Sequence, residues 1–404
     1  LRGERPIPDP NLQIIEVLPN ALNVQNPEGH EFSYLFEQIA EVRVQGDVVE
    51  RPTPRLSTGR PLRAQDQLVV DRANTRAREI FETLRDNQNL RMDAAALVKL
   101  RADLRPNPGA EYLQQLLESN DLETQINAAL RQFLAGERPP VNIVQQGLDS
   151  GNRRVRIIAM QLAGMMEMHE ATARLNQAMN DRADELATPA VRALARLGNR
   201  EMIPRLLGML TEASETKAAA AVDALVRLGG EEVAEQMKLM LPNAQLRGRY
   251  RILLVLHKLG DPMGRRLLQE TMQDVPTLQL EAALHLAKGG DQDAMLFLRR
   301  RLGERVDVNE RNMIMRARMA AAVIEGGDPG PTAILQELLR SDIMEVRLTV
   351  CDLIAELGNR RLLTILQSPL ESADNELAVR AGQSVLALAD PDFQDRLLQA
   401  RGHG

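Results

Sequence analysis

"ALARLGNREMIPRLLGML", residues 193–210, reads like a helix of Ala and Leu that halts at Leu197-Gly198-Asn199 and restarts at once. Nearly the same phrase, "LHKLGDPMGRRLL", returns at 256–268. Glycine suits the left-handed residue that ends a helix, and Asn or Asp just after it caps the next one. Each halt is therefore a joint between two helices, and its recurrence makes the joint part of a repeat.

Aligning on the residue that closes the phrase gives Gly164, Gly198, Gly229, Gly260, Gly290, Gly327, Gly358 and Ala389, spaced by 34, 31, 31, 30, 37, 31 and 31 residues. A polar step follows, such as Asn199, Asp261-Pro262 or Asp390-Pro391, and an apolar residue lies four before, such as Leu194, Leu225 or Ile354. Weaker copies extend upstream around "DAAALVKLRADLRPNPG" and "INAALRQFLAGERPP". A fixed period of this length marks a stacked array, in which a helical hairpin buries its apolar stripe only against its neighbours. The expected fold is an all-α superhelix, or solenoid, of about ten hairpins over 72–404.

Composition agrees. The chain has 404 residues, 2% aromatic and without Trp, and is rich in the good helix formers Ala, Leu, Met, Arg, Gln and Glu. A net charge of −6 gives no global basic footprint, so no nucleic-acid partner is expected. No apolar run is long enough to span a membrane. A single cysteine, Cys351 in "LTVCDLIAEL", excludes an intramolecular disulfide and reads as a small core residue. The chain begins with Leu, which leans toward a processed, exported bacterial protein and leaves the compartment open.

Residues 1–71 differ. "LRGERPIPDP" and "VVERPTPRLSTGRPLRAQ" are rich in Pro, Gly and Arg, "HEFSYLFEQIAEV" holds Phe32, Tyr34 and Phe36, and "EVRVQGDVVE" reads as a hairpin about Gly46-Asp47. This segment is expected either to cover the apolar end of the array or to dock as an arm on a neighbouring subunit.

The pattern "AxxALxxLG(D/N)xxxxxxLxxxL" resembles short HEAT-like repeats of the phycobilisome-lyase type. Val155-Arg156, Val191-Arg192, Val346-Arg347 and Val379-Arg380 match the Val-Arg pair many HEAT repeats carry at the start of the second helix. The resemblance implies that these arginines form a structural ladder with acidic turns. It also brings two enzymatic expectations to weigh. HEAT-repeat iron hydroxylases use several His-Glu pairs on matching helices, but only His169-Glu170 lies in a repeat here. Bilin lyases need an aromatic-lined pocket, and residues 90–404 supply few aromatics. His257 and His285 fall three and five residues before their anchors, out of one column. Met160, Met165, Met166 and Met168 read as core filler before thioether ligands. No cofactor, metal or catalytic set is expected.

One column points to binding. Two residues before successive anchors stand Arg196, Arg227, Lys258, Lys288, Glu325 and Glu356, four basic residues and then two acidic ones. An ordinary solvated helix face gives the same pattern. A partner with matching acidic groups would gain orientation from it. The insertion around "RRRLGERVDVNER", 299–311, lengthens one unit and is either a loop on a binding face or a neutral variation. The expected function is a non-catalytic scaffold or assembly subunit that binds other proteins, with a multi-subunit complex or homo-oligomer both open. The alternative is a lyase-like or chaperone-like factor acting on a partner protein's cofactor site.

Overall fold

A computed structural model describes residues 13–17, 21–25, 31–35, 42–44, 47–49, 62–99, 108–181 and 183–401. The described residues after 62 form an all-α solenoid of stacked hairpins. One layer contains α2 (Gln88–Lys99), α4 (Leu122–Leu134), α6 (Arg153–Met165), α8 (Asp184–Arg196), α10 (Glu215–Leu228), α12 (Leu246–Lys258), α14 (Gln279–Lys288), α16 (Glu310–Glu325), α18 (Met344–Leu357) and α20 (Asn375–Ala389). The other contains α1 (Ala64–Thr83), α3 (Pro108–Leu117), α5 (Val141–Leu148), α7 (Thr172–Met179), α9 (Ile203–Met209), α11 (Glu231–Met240), α13 (Pro262–Asp274), α15 (Gln292–Gly303), α17 (Thr332–Leu338) and α19 (Gln367–Leu370). A final helix, α21 (Pro391–Arg401), belongs to neither layer.

The joints form as the sequence predicts. Gly198, Gly229, Gly260, Gly290, Gly327 and Gly358 all have positive φ. Asn199, Asp261, Asp291 and Asn359 accept backbone N–H groups at the next helix start. The first anchor is a correction. Gly164 lies inside α6, where a Cβ would sit 2.7 Å from Ala193 Cα, so it is there for close helix packing. The left-handed residue of that joint is Glu167, 31 residues before Gly198, and Gly136 takes the same conformation 31 residues earlier still. The apparent spacing of 34 was a misplaced anchor.

The joint at Ala389 departs in another way. α20 runs on into Asp390, which is extended at φ −122° and ψ 103°. Alanine takes the left-handed conformation at a cost that glycine avoids. Without that reversal α21 does not join the second layer. It packs across α4, α6, α18 and α20, crossing the face of the first layer and marking it as the inner one.

The place α21 leaves empty is filled from the other end of the chain. α1 packs on α20 as well as on α2, and α2 packs on α20, so the contacts run round the array and return to their start. Arg72 closes the outside of this seam with a bidentate pair to Glu371, at 2.6 and 2.9 Å. A separate apolar cluster fills it, including Ala77, Ile80, Leu97, Leu134, Ala378, Leu386, Phe393 and Leu397. The apolar end expected to need a cap is thus covered by α1, which begins at Ala64, inside the segment assigned to the N-terminal region.

The main cluster runs through the rest of the array and holds Cys351 together with Met160, Met165, Met166 and Met168. Upstream, the backbone forms a three-stranded antiparallel sheet, β1 (Gln13–Val17), β2 (Ala21–Gln25) and β3 (Glu31–Leu35), in place of the extended segment expected there. The expected hairpin is present as β4 (Val42–Val44) and β5 (Asp47–Val49), with Val44 paired to Asp47, so Asp47 belongs to the second strand, and Gly46 lies outside the described residues. The Pro-rich stretches at 1–10 and 50–61, and the middle of the upstream repeat copy at 100–107, lie outside the described residues.

Candidate partner-binding surface

The charged column lies in the last turn of the inner helices, where cations meet the negative end of the helix dipole. The structure does not leave it as a free row. Lys258 on α12 pairs with Asp223 on α10 at 3.0 Å, and Lys288 on α14 pairs with Glu325 on α16 at 3.1 Å. Arg196 Nη2 donates to Gln399 O on α21 at 3.1 Å. Glu356 lies beside α21, its backbone carbonyl accepting from Gln394 Nε2 at 3.3 Å. Arg227 is exposed and, among the described residues, has no ion-pair partner. Four basic residues in a run thus resolve into two paired lysines and two arginines at the α8–α10 corner.

The pairs involving lysine belong to a belt that joins neighbouring inner helices. Arg131 on α4 pairs with Asp93 on α2, and Arg153 on α6 with Glu185 on α8 at 2.8 Å. Lys217 on α10 pairs with Asp184 on α8 at 3.2 Å, Arg247 on α12 with Glu281 on α14 at 2.9 Å, and Arg380 on α20 with Asp352 on α18 at 2.7 Å. The exposed pairs among them, such as Arg153–Glu185 and Arg247–Glu281, are worth at most about 1 kcal/mol each, so their effect is mainly to fix which helices are neighbours. Only Arg380 of the Val-Arg residues joins the belt, and its partner is on a helix. Arg156, Arg192 and Arg347 have no ion pair among the described residues, and the Nε of each is buried without a hydrogen-bond partner. The acidic-turn ladder implied by the resemblance is instead built by other arginines. Arg174 pairs with Asp149 at 2.6 Å, Arg265 with Asp291 at 3.2 Å, and Arg299 Nε donates to Asp328 at 2.6 Å.

Helix α21 shows what the inner face can hold. Phe393 and Leu397, four residues apart and therefore on one side of the helix, are 1% and 3% exposed. The polar side chains grip helix ends. Gln394 Nε2 donates to Ala355 O at 2.7 Å, and Arg396 Nε to Leu134 O at 3.1 Å, satisfying the last carbonyls of α18 and α4. Arg401 pairs with Asp352 at 2.8 Å. Below it a polar cavity of about 430 Å³ opens between α2, α4, α20 and α21, lined by Asp93, Arg131, Glu376, Arg380, Gln383 and Arg401 among others.

The two repeat histidines, out of register by sequence, are brought together. The His285 backbone lies close enough to His257 to favour its charged form, yet burial lowers the pKa of both, that of His285 to about 4. They fit a neutral, packed pair. His169 opens a short 3-10 helix, and His30 and His403 fall outside the described residues. Among the described residues no three His, Cys, Asp or Glu side chains converge as a metal-ligand set, and no helix is long and apolar enough to cross a membrane. The 299–311 insertion extends α15 and adds a loop carrying Val306 and Val308, which are 41% and 81% exposed. Arg316 Nη1 donates to Leu302 O at the end of α15, at 3.1 Å, and to Glu304 O where the loop begins, at 3.4 Å.

No family model matches the chain. No curated protein matches it either. Among solved structures it is similar to human deoxyhypusine hydroxylase in complex with glycerol, at 17% identity over 65% of this chain and 97% of that one, TM-score 0.32. It is similar to the CpcE–CpcF phycocyanin lyase complex of Nostoc sp., at 19% identity over 62% and 94%, TM-score 0.30. It is also similar to Kap121p, at 14% identity over 85% of this chain and 43% of that one, TM-score 0.32. These are helical repeat proteins, and at such scores the likeness carries no activity across.

Proposed function

We propose that this protein is a non-catalytic scaffold or assembly subunit that binds other proteins through its helical array, within a multi-subunit complex or between copies of itself. The observation that supports this reading is the seat of α21. The inner layer holds an amphipathic helix by taking Phe393 and Leu397 into an apolar cluster and by offering helix ends to Gln394 and Arg396. Repeat arrays present such positions many times over, which suits them to bind helices of other chains. The HEAT-like kinship and the N-terminal strands, as a second docking element, are part of the same proposal.

The test is cross-linking with mass spectrometry on protein taken from its source. Cross-links from Lys238, Lys258 or Lys288 to another polypeptide, or to a second copy, are expected. A cross-link map confined to one chain would overturn the proposal. The second reading, a lyase-like or chaperone-like factor acting on a partner's cofactor site, draws on the polar cavity at the seam. A chromophore or stoichiometric metal in native material would favour it.

A further inference from the structure

We infer that Arg192, Arg196 and Arg227, at the α8–α10 corner, form a seat for an acidic peptide segment of a partner protein. The inference rests on the scaffold reading and names the chemistry of one partner.

The argument starts from the belt of charges. Several inner-helix cations meet a carboxylate on a neighbouring helix, as in Lys258–Asp223, Lys288–Glu325, Arg247–Glu281 and Arg380–Asp352, while Arg156 and Arg347 stand singly without one. At the α8–α10 corner three arginines without an ion pair are grouped. Arg192 and Arg196 lie one helical turn apart on α8, and Arg227 holds the same register as Arg196 on α10, which packs against α8, close enough for its charge to act on Arg196. Asp223, one turn before Arg227, is the carboxylate already held by Lys258.

The three arginines act on one another. Burial, Arg227 and Arg192, in that order, all lower the pKa of Arg196, to about 10, and no carboxylate offsets them. The Nε groups of Arg192 and Arg196 are buried without a hydrogen-bond partner, and the one hydrogen bond from Arg196 goes to a neutral carbonyl. Guanidinium groups left half-buried and unpaired among like charges are costly unless an anion joins them. A run of carboxylates supplies acceptors that guanidinium forks take in pairs. The overall charge of −6 means that general attraction does not account for an acidic ligand here.

The test uses the full chain and a fluorescein-labelled peptide of about ten glutamates, read by polarisation at about 50 mM and about 200 mM salt. Saturable binding is expected that weakens about tenfold between the two salts and a further tenfold or more in Arg192→Gln/Arg196→Gln/Arg227→Gln. Lys258→Gln, which removes a paired cation, should change affinity by less than about twofold. Removing the repulsion should leave the triple variant as stable to heat as the parent. Should that variant not fold, the exposed Arg227→Glu alone must weaken the peptide about fivefold or more for the seat to stand. Equal binding by parent and variant overturns the inference, as does tighter, equally arginine-dependent binding of an oligodeoxythymidylate of matching charge. An absence of peptide binding sinks the seat alone, since cross-links to a partner elsewhere on the array would leave the scaffold reading intact.

Discussion

Two kinds of joint govern this chain. At Gly198, Gly229, Gly260, Gly290, Gly327 and Gly358 a left-handed glycine turns the backbone and delivers the next helix to the outer layer. At Ala389 no such reversal occurs, and α21 crosses the inner layer while α1 takes the vacated outer place. The backbone at the joint thus differs where the stack closes, while Phe393, Leu397 and the side-chain bonds of α21 fix where the closing helix sits. The difference teaches that the end of a repeat array can be specified by the loss of a joint as well as by a dedicated cap.

The largest expected effect breaks the unusual joint. Phe393→Ala empties the seam cluster, where this side chain is 1% exposed, and should cost about 3–5 kcal/mol, read as a lower urea midpoint. Proteolysis of the variant should release α21 first, whereas uniform resistance along the chain would argue against α21 as the weak link.

The ordinary part of the array has a pH-dependent weak point. His285 titrates at about 4 in the folded protein against 6.5 unperturbed, because burial disfavours its charged form. The folded state therefore binds fewer protons, and the stability this histidine contributes is complete above about pH 6.5 and lost as pH falls toward 4. Between pH 7 and pH 5 the loss should be about 2 kcal/mol, with His257 shifted in the same direction. Urea melts of His285→Gln at the two pH values should show a flatter dependence; an unchanged slope would remove this histidine from the account.

The smallest effects sharpen the contrast between the joints themselves. Gly260 has φ +81° and open space around it, so Gly260→Ala meets no clash and should cost about 1–2 kcal/mol through its backbone alone. Ala389→Gly should cost about 1 kcal/mol or less, since it only weakens a helix end. Hydrogen exchange would then find α21 still in place, because its seat is set by Phe393, Leu397 and its side-chain bonds. Equal penalties at the two sites would dissolve the distinction drawn here.

Much of this was legible in the residues. Periodic Leu positions and Gly-Asn or Gly-Asp steps placed the hairpins, since local capping chemistry is written in the residues that perform it. Gly164 misled because glycine serves two purposes, and there it admits Ala193 of the neighbouring helix while Glu167 makes the turn. The closure was hidden because α1 carries no glycine anchor and its partner α20 lies at the other end of the chain. The charged column is visible in the residues as a register, whereas its pairing is not. Its partners are set by neighbouring helices, so Asp223, four residues before Arg227, carried no signal of its bond to Lys258. The corner of three arginines had one such clue: Arg192 precedes Arg196 by one turn, while the corresponding positions in two later units hold Asp223 and Asp352.

Arg72 and Glu371, joined across the seam, are 299 residues apart in the chain. An open stack frays from its ends and nucleates anywhere, but a ring has no loose end to peel and cannot complete its last contact until nearly all of it has been made. Its folding therefore carries a late, long-range step. A circular permutant cut in the 241–245 turn, with its old termini joined by a linker, would turn that step into a nearest-neighbour one.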